Sequence, residues 1–190
     1  MRRFSFVLAV AVAMGAVLST AARAEDPEIA PAVTLPDGAK SQEGATEEDG
    51  KWVLPDGSPT YHVRMDDKTI VADWYTYNGY RRYHSECHVC HGPNGLGSTY
   101  APALADSLKT MNYGDFLGIV ASGRVRNVAG TEFVMPGFGD NRNVMCYVED
   151  IYLYLKARAD GVLPAGQLRG RNHEAKPETA KKNDKECFSD

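Results

Sequence analysis

The chain has 190 residues, of which 21 are basic and 25 acidic, for a formal net charge of −4. Nothing in that balance points to a nucleic-acid partner, and charge of this size bears on solubility and encounter steering rather than on fold. The length suits one domain with a modest core.

Met1-Arg2-Arg3 is a short basic head, residues 4–18 are an unbroken apolar and small-residue run, and Ala22-Arg23-Ala24 is an A-x-A cleavage site. Together they predict a secretory signal peptide over 1–24, removed before Glu25. The run is shorter than the roughly 20 residues a membrane span needs, and the competing reading is an uncleaved N-terminal anchor. The expected mature protein is exported to the periplasm, carries no membrane span and can keep disulfides. Cleavage removes Arg2, Arg3 and Arg23, leaving 18 basic residues against 25 acidic ones. The acidic excess lies in the N-terminal arm, where residues 25–60 hold nine acids and two bases.

Residues 25–51 read as an acidic, flexible arm, rich in Ala, Pro, Gly, Glu and Asp without an apolar period. Leu-Pro-Asp-Gly occurs at 35–38 and again at 54–57, and each copy is a turn signal. Aromatic and β-branched residues over 52–72, broken at Met65-Asp66-Asp67-Lys68, predict a short hairpin-like extension. Asp73 is a good N-cap for a helix from about Trp74, on which Gly79, Tyr83 and Cys87 recur every four residues. Gly79 costs helix propensity, so it predicts close passage of a second helix. The partner is a helix over about 144–159, with Val148, Ile151, Tyr152, Tyr154 and Leu155 as its apolar stripe and Gly161 placed to end it.

The first helix runs into Cys87-His88-Val89-Cys90-His91, a C-x-x-C-H pentapeptide of the kind that attaches haem covalently. Two thiols one turn apart add to the two haem vinyl groups, and the adjacent imidazole binds iron. A zinc site would want a second cysteine pair at matching spacing, and Cys146 and Cys187 stand too far apart to supply one. A thioredoxin-like redox pair would need a βαβ setting, which the pattern lacks.

The series Gly79-x-x-x-Tyr83-x-x-x-Cys87-x-x-Cys90-His91-Gly92, with Ala101-Pro102-Ala103-Leu104, Met135-Pro136 and Ile151-Tyr152-Leu153-Tyr154-Leu155, resembles the class I c-type cytochromes. The resemblance covers about residues 73–160. It implies an all-α, class I cytochrome c fold around one covalent haem c, here with the β-like extension before it and a polar tail after it. It implies thioether bonds from Cys87 and Cys90, iron ligation by His91, a Pro102 carbonyl accepting the other ring N–H of His91, and Leu104 against the haem face.

The sixth iron ligand has several candidates: Met65, Met111, Met135 and Met145, and His62, His84, His88 and His173. Met135 sits in Phe133-Val134-Met135-Pro136-Gly137-Phe138-Gly139, read as a rigid open turn that offers its thioether sideways. That setting and its family position favour Met135. Met145 reads as the start of the last helix and Met111 as part of a short helix, both as core filler. His84 and His88 read as surface residues. Cys146 and Cys187 are a leftover pair in an oxidising compartment and predict a disulfide, which would pin the tail over 161–190 back to the last helix.

Three further stretches narrow the resemblance: Leu54 to Tyr61, Asp73 to Tyr80, and Phe138 to Cys146. They are similar to the methanol-metabolism-related four-cysteine cytochromes. That likeness implies a monomeric, non-enzymatic one-electron carrier. It would be reduced by a pyrroloquinoline-quinone (PQQ)-dependent methanol dehydrogenase of the lanthanide type and oxidised by a downstream cytochrome or oxidase. Tyr80 and Tyr100 are candidates to flank the docking edge. The alternatives are a haem enzyme or ligand sensor with an open sixth position, a general carrier unrelated to methanol, and a structural subunit of an oxidase.

Overall fold

The computed structural model describes residues 44–66, 69–166, 168 and 173–189. The expected signal peptide, most of the acidic arm and the first Leu-Pro-Asp-Gly lie outside the described residues. The described residues open with β1 (Thr46–Glu48), β2 (Lys51–Val53) and β3 (Pro59–Thr60), an antiparallel sheet in that order. The second Leu-Pro-Asp-Gly makes the β2–β3 turn, where Gly57 N–H donates to the Leu54 carbonyl at 2.9 Å. A separate hairpin follows, β4 (Val63–Asp66) and β5 (Thr69–Ala72), with Val63 opposite Ala72. The single hairpin expected over 52–72 is thus divided between two sheets. The turn at 54–57 closes its own strand pair, and residues 46–48 of the arm add a third strand.

Asp73 caps α1 (Trp74–Glu86) as the sequence predicts. Its Oδ1 accepts the Thr76 N–H at 2.8 Å, and Oδ2 accepts the Thr76 hydroxyl at 2.6 Å and the His62 N–H at 2.7 Å. One buried carboxylate therefore both starts the helix and ties it to the preceding sheet.

Next come α2 (His88–His91), a 3-10 turn at Pro93–Gly95, α3 (Leu104–Ser107) and α4 (Tyr113–Ser122). They are followed by β6 (Arg124–Val128), β7 (Thr131–Met135), α5 (Arg142–Met145), α6 (Val148–Ala159) and α7 (Glu178–Phe188). The core is the crossing of α1 and α6. A Cβ on Gly79 would lie 1.8 Å from the Asp150 carbonyl oxygen, so only glycine lets the two backbones touch there. Tyr83, Ile151, Tyr154 and Leu155 are all but fully buried around that point. On the other side of α6, the rings of Tyr113 and Phe116 from α4 pack on Tyr152 at 5.2 and 5.5 Å.

Three expectations need correction. The helix read over 144–159 is two helices, because the chain turns at Cys146 and Tyr147 between α5 and α6. The all-α reading of the haem domain misses one small sheet, β6–β7, which falls inside the segment assigned to that domain. The polar tail ends in a helix, α7, docked through Ala180 (2% exposed) and bonded through Cys187 to Cys146. Its sequence lacks an apolar stripe because exposed pairs, Glu178 with Lys181 and Lys182 with Glu186, line most of its surface. The Asp49 carboxylate also accepts the Thr179 N–H at 2.8 Å, so the β1–β2 turn holds the start of α7.

Candidate haem site

The pentapeptide begins where α1 stops. Cys87 N–H still donates to the Tyr83 carbonyl at 2.9 Å, and the chain then makes the single turn of α2. Cys87 is half-buried, Cys90 is exposed, and neither is in a disulfide. Burial, with smaller contributions from Glu86 and Cys90, pushes the Cys87 thiol up to about 12.

His91 is 7% exposed, and its Nδ1 lies 3.0 Å from the Pro102 carbonyl oxygen. A carbonyl can only accept, so Nδ1 carries the proton and Nε2 keeps its lone pair for a metal. Hydrogen bonds clamp the turn around it. Gly97 N–H donates to the His91 carbonyl at 2.7 Å, the buried Tyr83 hydroxyl to the Gly92 carbonyl at 2.5 Å, and the Ser98 hydroxyl to the Cys90 carbonyl.

Asn94 is a second clamp that the sequence reading missed. Held at φ 60°, its Oδ1 accepts the Tyr154 hydroxyl at 3.5 Å and the Gly166 N–H at 3.2 Å. Its carbonyl accepts Arg158 Nε at 3.2 Å, while Arg158 Nη1 reaches the Leu163 carbonyl at 2.5 Å. Residue 94 therefore joins the haem-motif turn to the end of α6 and the chain beyond. The available signal was Pro93-Asn94-Gly95, a turn tripeptide whose middle residue tolerates positive φ.

Leu104 opens α3 and packs, partly buried, against the core. Met135 is the last residue of β7, partly buried against the core and paired with Arg124 of β6. The open turn expected around it is instead the foot of a hairpin followed by a docked loop. Phe138 N–H donates to the Val120 carbonyl at 2.9 Å and Gly139 N–H to the Ala121 carbonyl at 3.0 Å, fastening that loop to the end of α4.

The other candidate ligands are distributed over the fold. Met65, Met111 and Met145 pack against the core, and Met111 precedes α4 instead of lying within a helix. The His62 ring stacks on Trp52 at 4.0 Å, and the His173 ring on Tyr77 at 3.8 Å. His84, expected at the surface, is half-buried beside Tyr80, Tyr83 and Tyr154, and that burial lowers its pKa. His88 is half-buried too, 5.8 Å from His84. Tyr80 lies partly buried between Tyr77 and Tyr154, whereas Tyr100 is 75% exposed.

The pentapeptide fits a haem of c type: two thiols outside any disulfide, one turn apart, and a buried imidazole whose Nδ1 faces a carbonyl. No group of three or more His, Cys, Asp or Glu that could hold a metal ion occurs among the described residues, which disfavours the zinc reading. When bound, haem c supplies a one-electron iron couple. Fold and pentapeptide together define a haem protein of the electron-transfer class.

No family model matches the chain. It is 52% identical over 120 residues to cytochrome c-553I of Paracoccus denitrificans, a match covering 63% of this chain and 52% of that protein, so it spans about half the length of that relative. It is 39% identical over 98 residues to cytochrome c-555 of Methylococcus capsulatus, covering 51% of this chain and 73% of that one. Among solved structures, the c-type cytochrome XoxG from Methylobacterium extorquens AM1 superposes with a TM-score of 0.67 at 56% identity, covering 76% of this chain and 86% of that chain. The chain belongs to the c-type cytochromes, electron-transfer proteins with covalently bound haem c.

Proposed function

We propose that this protein is a periplasmic, monomeric, monohaem carrier. It would take electrons one at a time from a PQQ-dependent methanol dehydrogenase, of the lanthanide type, and pass them to a downstream cytochrome or oxidase. The observation that carries the reading is His91, buried and oriented through Pro102 so that Nε2 alone is left to bind iron. One C-x-x-C-H in the sequence allows one covalent haem.

The chain's own residues do four things in this reading. Cys87 and Cys90 hold the cofactor by thioether bonds. His91 and Met135 would bind its iron, and Leu104 and the core beneath it would keep water away. Support for the methanol side comes from the stretches 54–61, 73–80 and 138–146, and from the likeness to XoxG. A weak, small docking surface suits a carrier that must let go after each electron.

The test mixes oxidised holoprotein with a lanthanide-type methanol dehydrogenase and methanol and follows the haem α-band by stopped flow. A calcium-type enzyme and a substrate-free mixture serve as controls. Fast, saturable reduction by the lanthanide enzyme alone is the expected outcome. Reduction by neither enzyme would leave a general carrier and remove the methanol assignment. The ligand-sensor reading has its own discriminator. A Met–iron carrier shows the long-wavelength charge-transfer band when oxidised and binds carbon monoxide slowly. A sensor lacks the band and binds it quickly.

A further inference from the structure

The β6–β7 hairpin has no counterpart in the sequence-based expectation, and its two faces differ. Register pairs Arg124 with Met135, Val125 with Val134, Arg126 with Phe133, Asn127 with Glu132 and Val128 with Thr131. Residues directly opposite share a face and successive residues alternate. One face therefore carries Arg124, Arg126 and, toward the turn, the exposed Val128 and Thr131, with Phe133 and Met135 opposite the arginines; the other carries Val125, Asn127, Glu132 and Val134.

Burial says which face looks inward. Met135 packs against the core and Phe133 is 37% exposed, whereas Val125 and Val134 on the opposite face are 59% and 63% exposed. Both arginines lie on the inward face and the hairpin's acid, Glu132, on the outward one. Arg124 and Arg126 are exposed, and neither guanidinium pairs with a carboxylate among the described residues. The hairpin is anchored at its foot, where a Cβ on Gly123 would meet the Met135 carbonyl oxygen at 2.5 Å and the Gly137 nitrogen at 2.6 Å.

We propose that this hairpin is a lid on the methionine side of the haem, with Arg126 and Arg124 as positioning residues that pair with the haem carboxylates while Phe133 covers the ring beside Met135. The inference rests on Met135 as the iron ligand, the reading given above. A two-stranded ribbon makes such a lid because its pleat delivers the thioether, the aromatic ring and both cations to one side from ten residues of strand. Guanidinium forks match carboxylates in two-point contacts, and a positive charge held near the iron favours the reduced state.

The test uses holoprotein with Arg126→Gln, Arg124→Gln and Arg126→Lys. Arg81→Gln, an exposed arginine on α1, controls for net charge. Two readouts are taken: the reduction potential by spectroelectrochemistry, and the carboxylate bending modes of the haem by resonance Raman. The glutamine variants are expected to lower the potential by more than Arg81→Gln does and to move the bending modes, and Arg126→Lys is expected to restore the potential in part. Potentials that follow Arg81→Gln, with unmoved bending modes, would overturn the proposal. Met135→Ala separates this from the underlying reading. If its charge-transfer band persists, the ligand assignment fails; if the band is lost and the arginine variants stay silent, only the lid fails.

Discussion

Asp150 lies where α1 and α6 come closest, 6% exposed, with Asn78 Nδ2 donating to its Oδ2 at 2.6 Å. Burial disfavours its charge and pushes its pKa up to about 7, with Asn78 and the more distant Lys51 pulling the other way. The native state thus keeps a proton that the unfolded chain, with an ordinary carboxyl near 3.8, gives up earlier. The stability this group contributes is complete below the unfolded value and is lost as pH rises through the folded one. Asp73, raised to about 6 by burial, acts in the same direction. Asp150→Asn keeps the acceptor for Asn78 without the charge. Denaturant midpoints at about pH 5 and about pH 8 should then differ less in the variant than in the parent, with the variant the more stable at the higher pH. An unchanged slope would assign the pH dependence to Asp73 or elsewhere.

Among the elements, the α1–α6 crossing was legible because its chemistry is local: a capping aspartate, a costly glycine at a four-residue spacing, and an aromatic stripe. Its sharpest test is Gly79→Ala. The added methyl would sit 1.8 Å from the Asp150 carbonyl, so the helices must separate. Overpacking of this kind costs about 1–3 kcal/mol where side chains can adjust. Here the obstacle is backbone, so the loss should reach at least about 3 kcal/mol, read as a fall in urea midpoint. A near-parental midpoint would mean that the crossing is looser than described. The β6–β7 hairpin was illegible for an equally local reason. Its turn places Ala129 at φ 49° and Gly130 at φ 82°. Left-handed conformations at both turn positions ordinarily announce themselves as Asn-Gly or Asp-Gly, and Ala-Gly gives no such signal. The period-two pattern of Arg124 to Val128 therefore lacks a turn to close it, and the stretch around Met135 reads as an open turn. The tail helix α7 escaped because a polar helix held by one buried alanine, a disulfide and polar contacts such as Asp49 to Thr179 has no apolar period to find.

At the scale of the whole molecule, the Cys146–Cys187 bond, with a sequence separation of 41, is the longest-range covalent tie among the described residues. In the chain-entropy model a loop of that size is worth about 4 kcal/mol. Replacing both cysteines by serine should lower the urea midpoint accordingly while leaving the haem spectrum unchanged, since neither residue belongs to the C-x-x-C-H turn. A changed haem spectrum would show that α7 braces the site itself. The same bond has a consequence for how the molecule is made. Four thiols can pair in three ways, and only one pairing joins Cys146 to Cys187. Even then, on the function proposed above, Cys87 and Cys90 would have to stay reduced to form thioethers. Any other early pairing consumes an attachment point. In an oxidising compartment, maturation is then a sorting problem: the cofactor has to reach Cys87 and Cys90 while they are still thiols, whatever the oxidant has already done at the far end of the chain.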